Sequence, residues 1–312
     1  MLALCRQAGL VRLGHVALDG TKIKANASKH KAMSYGRMAA AEAALETEIG
    51  AWLAEAEAAD AAEDAEHGAE RRGNETPGWV HDKQRRLEKI RAAKAALEAE
   101  ARAEAEAKAA ALKCDRGGRK PQRPPGQPSP AAQRNFTDPE SRIMKGKDGF
   151  VQAYNAQAAV DADGQIVVAC TLTNNAADQA ELGPLLDAIA AGLGRSPKEV
   201  SADVGYCSEA NLETLAARGI RGYVATGRQK YPATGEAQRR GPLVAAMRTR
   251  LRRAGRRTRY RLRKQTVEPV IGQIKQARGF RQFLLRGLAK VRAEWALVCT
   301  AHNLIKLVRV AG

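Results

Sequence analysis

Alternating apolar and polar positions predict a β-strand near the start of the chain, over residues 15–25. In such a strand Val16 and Leu18 face one side, and Asp19 faces the other. Asp19 therefore stands on a mostly apolar strand, directly before Gly20. Burying a carboxylate costs several kcal/mol unless it is paired or binds a metal ion. The alternative is an aspartate in a turn before a glycine, which the strand-like continuation after Gly20 disfavours.

A helical pattern replaces the strand pattern over residues 34–114, which are rich in Ala, Glu and Lys. A break containing Gly and Pro at 73–78 predicts the end of one helix and the start of another. We therefore predict a long antiparallel helical hairpin, with arms of roughly 30 residues or about 45 Å. The alternative is an independent coiled-coil oligomerisation arm, which the sparse apolar heptads disfavour. The apolar positions at helical spacing are Leu45, Ile49 and Leu53, then Leu87, Ile90 and Leu97.

Proline and glycine dominate residues 115–135, which therefore form a predicted basic linker. Strands and helices alternate after it, and their order indicates an α/β or α+β fold with a mixed sheet. The predicted elements are strands over 152–160 and 165–172 joined by an Asp-Gly turn at 161–164, a helix after a capping box at 178–181, a strand over 199–205, a helix from Ser208 to Ala217, a strand over 220–226 and a helix over 286–308. The predicted division of the chain is 1–33 for the first strand of the core, 34–114 for the helical insertion, 115–135 for the linker and 136–312 for the rest of the core.

Asp203 lies near the end of the predicted strand over 199–205. The carboxyl ends of strands are where ligands and chemistry collect in α/β sheets. The alternative is that Asp203 caps a helix or stabilises a turn.

The positive charge of the chain is concentrated at one end. The formal net charge is +18, and residues 231–312 hold 20 basic and 3 acidic residues, a net charge of +17. Residues 38–113, by contrast, hold 11 basic and 17 acidic residues, a net charge of −6. A cationic lobe of this density attracts polyanions, of which nucleic acid is the usual one. A membrane surface is disfavoured, because the basic lobe lacks an amphipathic helix with a Trp or Phe belt.

The cysteines, the apolar runs and His302 do not indicate a further kind of site. The five cysteines are scattered without a Cys-x-x-Cys pair, so the sequence supports neither a zinc site nor a disulfide framework, and the cysteines fit a reducing cytoplasm. No apolar run approaches the roughly 20 residues that span a bilayer. His302 falls on the apolar face predicted for the last helix, with Val291, Trp295, Val298 and Ile305, so we expect it to be a core histidine.

Residues 260–275 place one carboxylate, Glu268, in the most basic part of the chain. On a helix Lys264, Glu268 and Lys275 lie near one face. A surface ion pair between Lys264 and Glu268 is one interpretation. The other is that the acid binds a metal ion while the cations bind phosphates. Pro269 predicts a helix start or a kink at Glu268.

Three acids from distant segments, Asp19, Asp203 and Glu268, form a candidate site for two-metal phosphoryl transfer. Hard divalent cations take oxygen ligands, and a pair of ions can stabilise both the attacking and the leaving oxygen. Without a metal, gathered carboxylates raise the pKa of one another.

Four stretches of the chain resemble insertion-sequence transposases of the DDE class, which have an RNase H-like catalytic fold. The fourth resembles the Tyr-Arg-Glu-Lys signature of that group in Tyr260, Arg263, Glu268 and Lys275. Its Arg-to-Glu spacing is one residue longer than usual, so Lys264 is a second candidate for the arginine role. The stretches are Val16-Ala-Leu-Asp-Gly-Thr-Lys-Ile23, Thr137-Asp-Pro-Glu-Ser-Arg-Ile-Met144, Ala202-Asp-Val-Gly-Tyr206 and residues 260–275.

The resemblance implies an RNase H-like mixed sheet with flanking helices, interrupted by the helical hairpin. It also implies a catalytic site that binds Mg²⁺, with Mn²⁺ as a substitute. The residues implied as catalytic metal ligands are Asp19, Asp203 and Glu268, and those implied to contact DNA are Tyr260, Arg263, Lys264 and Lys275.

The activity implied is cleavage of a DNA strand at a transposon end, followed by attack of the freed 3′-hydroxyl on target DNA. We expect double-stranded DNA as the partner, a homodimer in the synaptic complex, no membrane association, and a bacterial cytoplasmic, nucleoid-associated location. Only 18 residues precede Asp19, so we expect a truncated form without the usual N-terminal DNA-binding domain. The alternatives are an RNase H-like nuclease without strand transfer and a non-catalytic cationic DNA-binding remnant.

Overall fold

The chain folds into two compact units, residues 1–27 with 140–312, and residues 28–139. A computed structural model describes residues 1–67, 78–111, 124–146, 149–227, 241–254 and 259–311. The helices are α1 (Leu2–Gln7), α2 (Tyr35–His67), α3 (Gly78–Ala111), α4 (Leu182–Leu193), α5 (Glu209–Ala217), α6 (Pro242–Ala254), α7 (Leu262–Gly272) and α8 (Leu288–Ala311). The strands are β1 (His15–Lys24), β2 (Ala32–Ser34), β3 (Gln133–Asn135), β4 (Arg142–Gly146), β5 (Gly149–Asp161), β6 (Val167–Thr173), β7 (Glu199–Ala202) and β8 (Arg221–Val224).

A mixed sheet is the centre of the first unit. Its order is β4-β5-β1-β7-β8, and β6 also pairs with β5. β1 runs parallel to β7, which runs parallel to β8, while β5 is antiparallel to β1, β4 and β6. The mixed directions and flanking helices confirm the predicted RNase H-like α/β fold class.

The alternation predicted for β1 divides the core between the two faces of the sheet. Val16 and Leu18 lie in one cluster with the apolar face of α4. Ala17 lies in a second cluster with Val267 of α7 and Trp295 of α8. Side chains alternate along a strand, so Asp19 points to the face that α7 covers.

In the second unit α2 and α3 form an antiparallel hairpin. Tyr35, at the start of α2, donates a hydrogen bond to Glu98 in the second half of α3. Glu48, further along α2, pairs with Lys83 near the start of α3. The two helices therefore run in opposite directions. Five of the six apolar positions predicted for the hairpin are buried, and Leu53 is exposed. The predicted linker differs in its last residues, because Gln133–Asn135 form β3 and pair with β2. Residues 115–123 and most of the break at 73–78 lie outside the described residues.

Of the two outcomes predicted for Pro269, a helix start or a kink at Glu268, the helix start is wrong. Pro269 lies inside α7, which continues into a π-helical turn at Gln273–Ala277. A proline has no N–H for the carbonyl four residues earlier, which here belongs to Gln265. The side chain of Gln165 donates to that carbonyl over 2.9 Å and replaces the missing hydrogen bond.

The last helix differs from its predicted face at one position. Val291, Trp295 and His302 are buried as expected, but Ile305 is exposed. His302 is a core histidine, as predicted, with both ring nitrogens hydrogen-bonded. The helix also stabilises the sheet through a polar contact, because the indole N–H of Trp295 donates to the buried carbonyl of Gln157 over 2.9 Å.

We predict that Trp295→Phe lowers the free energy of unfolding by about 1–3 kcal/mol, because the buried carbonyl of Gln157 loses its donor. Leu297→Ala on the same helix is the matched control. Leu297 is 68% exposed, so its removal should change stability by less than about 0.5 kcal/mol. Urea unfolding of both variants measures the difference, and equal midpoints would contradict the assigned role of the indole.

Candidate active site

Strand register brings the first two predicted acids side by side. β1 and β7 are adjacent and parallel, with Ala17 opposite Ser201. Two residues further along each chain segment lie Asp19, still in β1, and Asp203, directly after β7. Asp203 also caps a short 3₁₀ turn, and its Oδ1 accepts from the N–H of Gly205 over 2.7 Å. The helix-cap interpretation of Asp203 is therefore correct in geometry, and the cap uses only Oδ1.

Arg263 joins the third acid to the first. Its Nη1 lies 2.8 Å from Oδ2 of Asp19, and its Nη2 lies 2.8 Å from Oε1 of Glu268. The Arg263 side chain is 11% exposed, the Asp19 side chain 17% and the Glu268 side chain 44%. The two acids are thus held by one planar, permanently charged fork. The partner of Glu268 in the described part of the chain is Arg263 and not Lys264.

The charge of the three carboxylates is only partly compensated. The pKa of Asp19 is raised from 3.8 to about 6, chiefly by burial; the charge of Arg263 lowers it, whereas the charges of Asp203 and Glu268 raise it. Mutual repulsion of this kind requires the acids to lie within electrostatic reach of one another. A bound cation is the usual means by which such a cluster is neutralised.

The cationic signature residues surround this acid group. Lys275 donates to the hydroxyl of Thr21 over 2.9 Å and to the carbonyl of Lys22 over 3.1 Å, close to Asp19 along β1. The guanidinium of Arg263 lies 6.0 Å from the ring centroid of Tyr260. A cleft of about 780 Å³ adjoins Asp203. Its charged and aromatic lining residues are Asp203, Arg248, Arg252, Tyr260, Arg263 and Lys264.

Asp178 is a fourth acid beside the site, and the capping-box prediction for it is wrong. It makes no cap hydrogen bond. Its Oδ1 instead accepts from Lys22 over 3.2 Å and from the amides of Asn155 and Gln157 over 2.7 Å each. The sequence did contain a signal for this role of Asp178. Asn155 and Gln157 stand at alternate positions of a mostly apolar strand, and buried side-chain amides need hydrogen-bond partners.

The position of Asp178 requires a glycine directly after Asp19. A Cβ atom at Gly20 would lie 2.4 Å from Nε2 of Gln157 and 2.6 Å from Oδ1 of Asp178. At Gly205 a Cβ atom would lie 2.8 Å from Oδ2 of Asp178. The carboxylate of Asp178 therefore packs between the two backbone segments that follow the paired acids.

A second polar cluster does not form a reaction site. Nε2 of His15 lies 2.9 Å from Oγ of Ser201, and Nδ1 lies 3.3 Å from Oε2 of Glu199. These are the residue types of a serine nucleophile with its base and orienting acid. Ser201 is completely buried, however, so no substrate reaches its hydroxyl. Burial also lowers the pKa of His15.

The donor chemistry of the acid site fits a hard divalent cation. Asp19, Asp203 and Glu268 offer carboxylate oxygens, which Mg²⁺ prefers. The pKa of Asp19 is raised chiefly by burial and in part by the charges of Asp203 and Glu268, and a bound cation would counter both effects. Across the described residues, no group of three His, Cys, Asp or Glu side chains is already gathered closely enough to hold a metal ion. Arg263 stands between two of the acids instead.

Comparison with known proteins identifies the family. The model of the transposase DDE domain matches residues 123–304, more than half of the chain. The chain belongs to this family. The matched range of the transposase contains Asp203 and Glu268, whereas Asp19 precedes it. No curated protein matches the chain significantly. The family implies an enzyme that acts on DNA, and no helix among the described residues is long and apolar enough to cross a membrane.

We predict that Gly20→Ala destabilises the transposase by about 1–3 kcal/mol, because the added methyl group overlaps Gln157 and Asp178. Gly183→Ala is the control, since a Cβ atom at Gly183 in α4 meets nothing within 4 Å. Thermal unfolding of both variants tests this. An unchanged melting temperature in Gly20→Ala would show that the Asp178 contact does not constrain the backbone after Asp19.

The raised pKa of Asp19 predicts a pH dependence of stability. Between about pH 4 and pH 6 the native state binds more protons than the unfolded chain, so stability falls as pH rises through this window. The loss attributable to Asp19 is at most about 3 kcal/mol. Unfolding measured from pH 4 to pH 8 should show a smaller loss in Asp19→Asn than in the wild type. Parallel profiles would contradict the assignment of the shift to this carboxyl.

Proposed function

We propose that this protein is a metal-dependent DNA transposase that cuts one strand and joins the freed 3′-hydroxyl to target DNA. Its acid triad is Asp19, Asp203 and Glu268. The observation that carries the proposal is the fork of Arg263, 2.8 Å from both Asp19 and Glu268. The register of β1 and β7, which sets Asp203 beside Asp19, supports the third member.

The three carboxylates would hold Mg²⁺, or Mn²⁺ in its place. When bound, such ions polarise the scissile phosphate and lower the pKa of an attacking water or hydroxyl. The contribution of the chain is to orient the carboxylates, and the charge of Arg263 partly offsets the burial that disfavours ionised Asp19. Asp19, with a pKa of about 6, is mostly ionised only above that pH. Its orientation is fixed by Arg263 and by the N–H of Gly20, which donates to its Oδ1 over 3.0 Å.

Four signature residues would bind the DNA backbone beside the acids. Tyr260, Arg263 and Lys264 line the cleft next to Asp203. Lys275 is held against Thr21 and the carbonyl of Lys22, so its ammonium group stays near Asp19. Cations fixed in this way neutralise phosphates and orient the strand for in-line attack. Arg263 fills the arginine role of the signature, and Lys264 is one of the further cations of the cleft, with Arg248 and Arg252.

We extend the proposal to the assembly that such a reaction needs. Joining two transposon ends to one target requires two active sites, which a homodimer in the synaptic complex provides. Its substrates are the double-stranded ends and the target duplex. The place of action is the bacterial cytoplasm, in association with the nucleoid.

The proposal predicts that Asp203→Asn abolishes DNA cleavage. Purified full-length protein is incubated with Mg²⁺ or Mn²⁺ and a supercoiled plasmid that carries the DNA flanking the coding sequence. The wild type should nick the plasmid, and Asp203→Asn should lower the rate at least about a hundredfold, because a carboxylate essential for transition-state stabilisation is lost. Asp187→Asn is the matched control, since that aspartate is 68% exposed on α4.

Product analysis separates the alternatives. A labelled 3′-hydroxyl end that becomes joined to the plasmid supports transposition, whereas nicks without joined products indicate an RNase H-like nuclease. Wild-type cleavage by Asp203→Asn would refute the site assignment. Absence of cleavage together with no thermal stabilisation by Mg²⁺ would indicate a non-catalytic DNA-binding remnant.

A further inference from the structure

The last turns of α8 mix apolar and charged positions, because Leu307 still packs against the core while two cations continue the line of the buried face. The face that packs on the core carries Trp295 and Cys299, and the same face continues at helical spacing through His302, Lys306 and Arg309. The opposite side carries exposed apolar residues, with Leu304 47% and Val308 60% exposed. Arg309 is exposed, but Lys306 is half-buried, and a half-buried cation on this side of a helix calls for an explanation other than solubility.

Arg278 is fixed against this face by a neutral histidine. Its Nη1 lies 3.1 Å from Nδ1 of His302, and Nε2 of His302 lies 3.0 Å from the carbonyl of Gln165. An arginine donates only, so Nδ1 accepts and Nε2 carries the proton that it donates to Gln165. Burial lowers the pKa of His302 to about 4, which keeps the ring neutral.

Lys306 is fixed by Gln165, which lies in the turn between β5 and β6. Its ammonium group donates to Oε1 of Gln165 over 2.7 Å. Gln165 has a positive φ of 52° and its amide N–H is bound to the carbonyl of Gln265. Two half-buried cations are therefore held in fixed positions by neutral partners, with Arg309 close enough to lower the pKa of both.

Arg278, Lys306 and Arg309 form a cluster that no carboxylate of the described residues pairs with, and we call it the α8 cation cluster. Among the described residues none of the three forms a salt bridge, although the chain uses salt bridges at many other places. Burial lowers the pKa of Arg278 and of Lys306, and neighbouring positive charge lowers each further. Three cations gathered without an acid form a site for an anion.

The helix macrodipole does not account for the whole cluster. Cations in the last turn of a helix gain about 0.3–1 kcal/mol from the carbonyl end of the dipole. That explanation suffices for Lys306 and Arg309. It does not extend to Arg278, which belongs to another segment and is directed to the cluster by His302.

We propose that the α8 cation cluster binds the phosphodiester backbone of duplex DNA, at a place separate from the acid site. This rests on the proposed function, which makes duplex DNA the polyanion that the enzyme holds. Gln165 connects the cluster to α7, because its amide binds the carbonyl of Gln265, three residues before Glu268. Duplex held by the cluster is therefore anchored to the helix that carries the third acid.

The test is the salt dependence of DNA binding without divalent metal. Fluorescence anisotropy with a labelled 30-base-pair duplex of arbitrary sequence compares the wild type with Lys306→Gln, Arg309→Gln and the double variant. Each lost phosphate contact should lower the slope of log K against log salt by about 0.9, which corresponds to roughly eightfold in affinity at 0.1 M salt. The double variant should lose about twice that slope.

Lys290→Gln is the matched control, because Lys290 is an exposed cation in the first turn of α8. Equal slopes for the double variant and Lys290→Gln, with both folded by circular dichroism, would overturn the proposal. So would a wild type that binds no duplex, or a double variant that loses only thermal stability, as the macrodipole explanation expects. Failure of the proposed function would give a different result. In that case the wild type binds DNA with a slope that depends on the cluster, but it does not cleave the DNA.

Discussion

The contact on which the site depends is the guanidinium of Arg263 between Asp19 and Glu268. The two acids are far apart in sequence and belong to β1 and α7, and each lies 2.8 Å from the same side chain. Without this cation, the buried carboxylate of Asp19 would face Asp203 and Glu268 with little compensation. Breaking a buried pair by removing one partner is costly, because the remaining charge stays desolvated. Arg263 thus allows acids to gather on the sheet before any metal or DNA arrives.

The chain tolerates a long segment between two strands that pair with each other. β1 pairs with β5 along nearly its whole length, although residues 28–139 form a separate unit between them in sequence. Closing a longer loop adds little entropy cost, since the cost grows only with the logarithm of its length. The nine paired positions of β1 and β5 offset that cost, so the acid on β1 reaches the site despite the interruption.

Local patterns were sufficient to predict strands β1, β5, β6, β7 and β8, with Asp19 on the first and Asp203 near the end of the fourth, but not β2, β4 or α6. Alternation on β1 put Asp19 opposite Val16 and Leu18, and the structure has the same two faces. Contacts between distant segments were not predictable in this way. The role of Asp178 depends on amides from β5 and on a lysine from β1, none of which lies near it in sequence. Its local surroundings indicated a helix cap. Ile305 was misassigned because helical spacing alone does not show where the sheet beneath the helix ends.

Pro269 shows how a local defect becomes a long-range connection. A proline in a helix frees the carbonyl one turn earlier, and a freed carbonyl that is not hydrated needs a donor from elsewhere. Here the donor is Gln165, from the turn between β5 and β6. The same glutamine accepts from Lys306 and, through its carbonyl, orients His302. The residue after Glu268 therefore creates the need for a contact that ties the helix of the third acid to the cations of α8. A helix without this proline would satisfy its own backbone and leave the two regions independent.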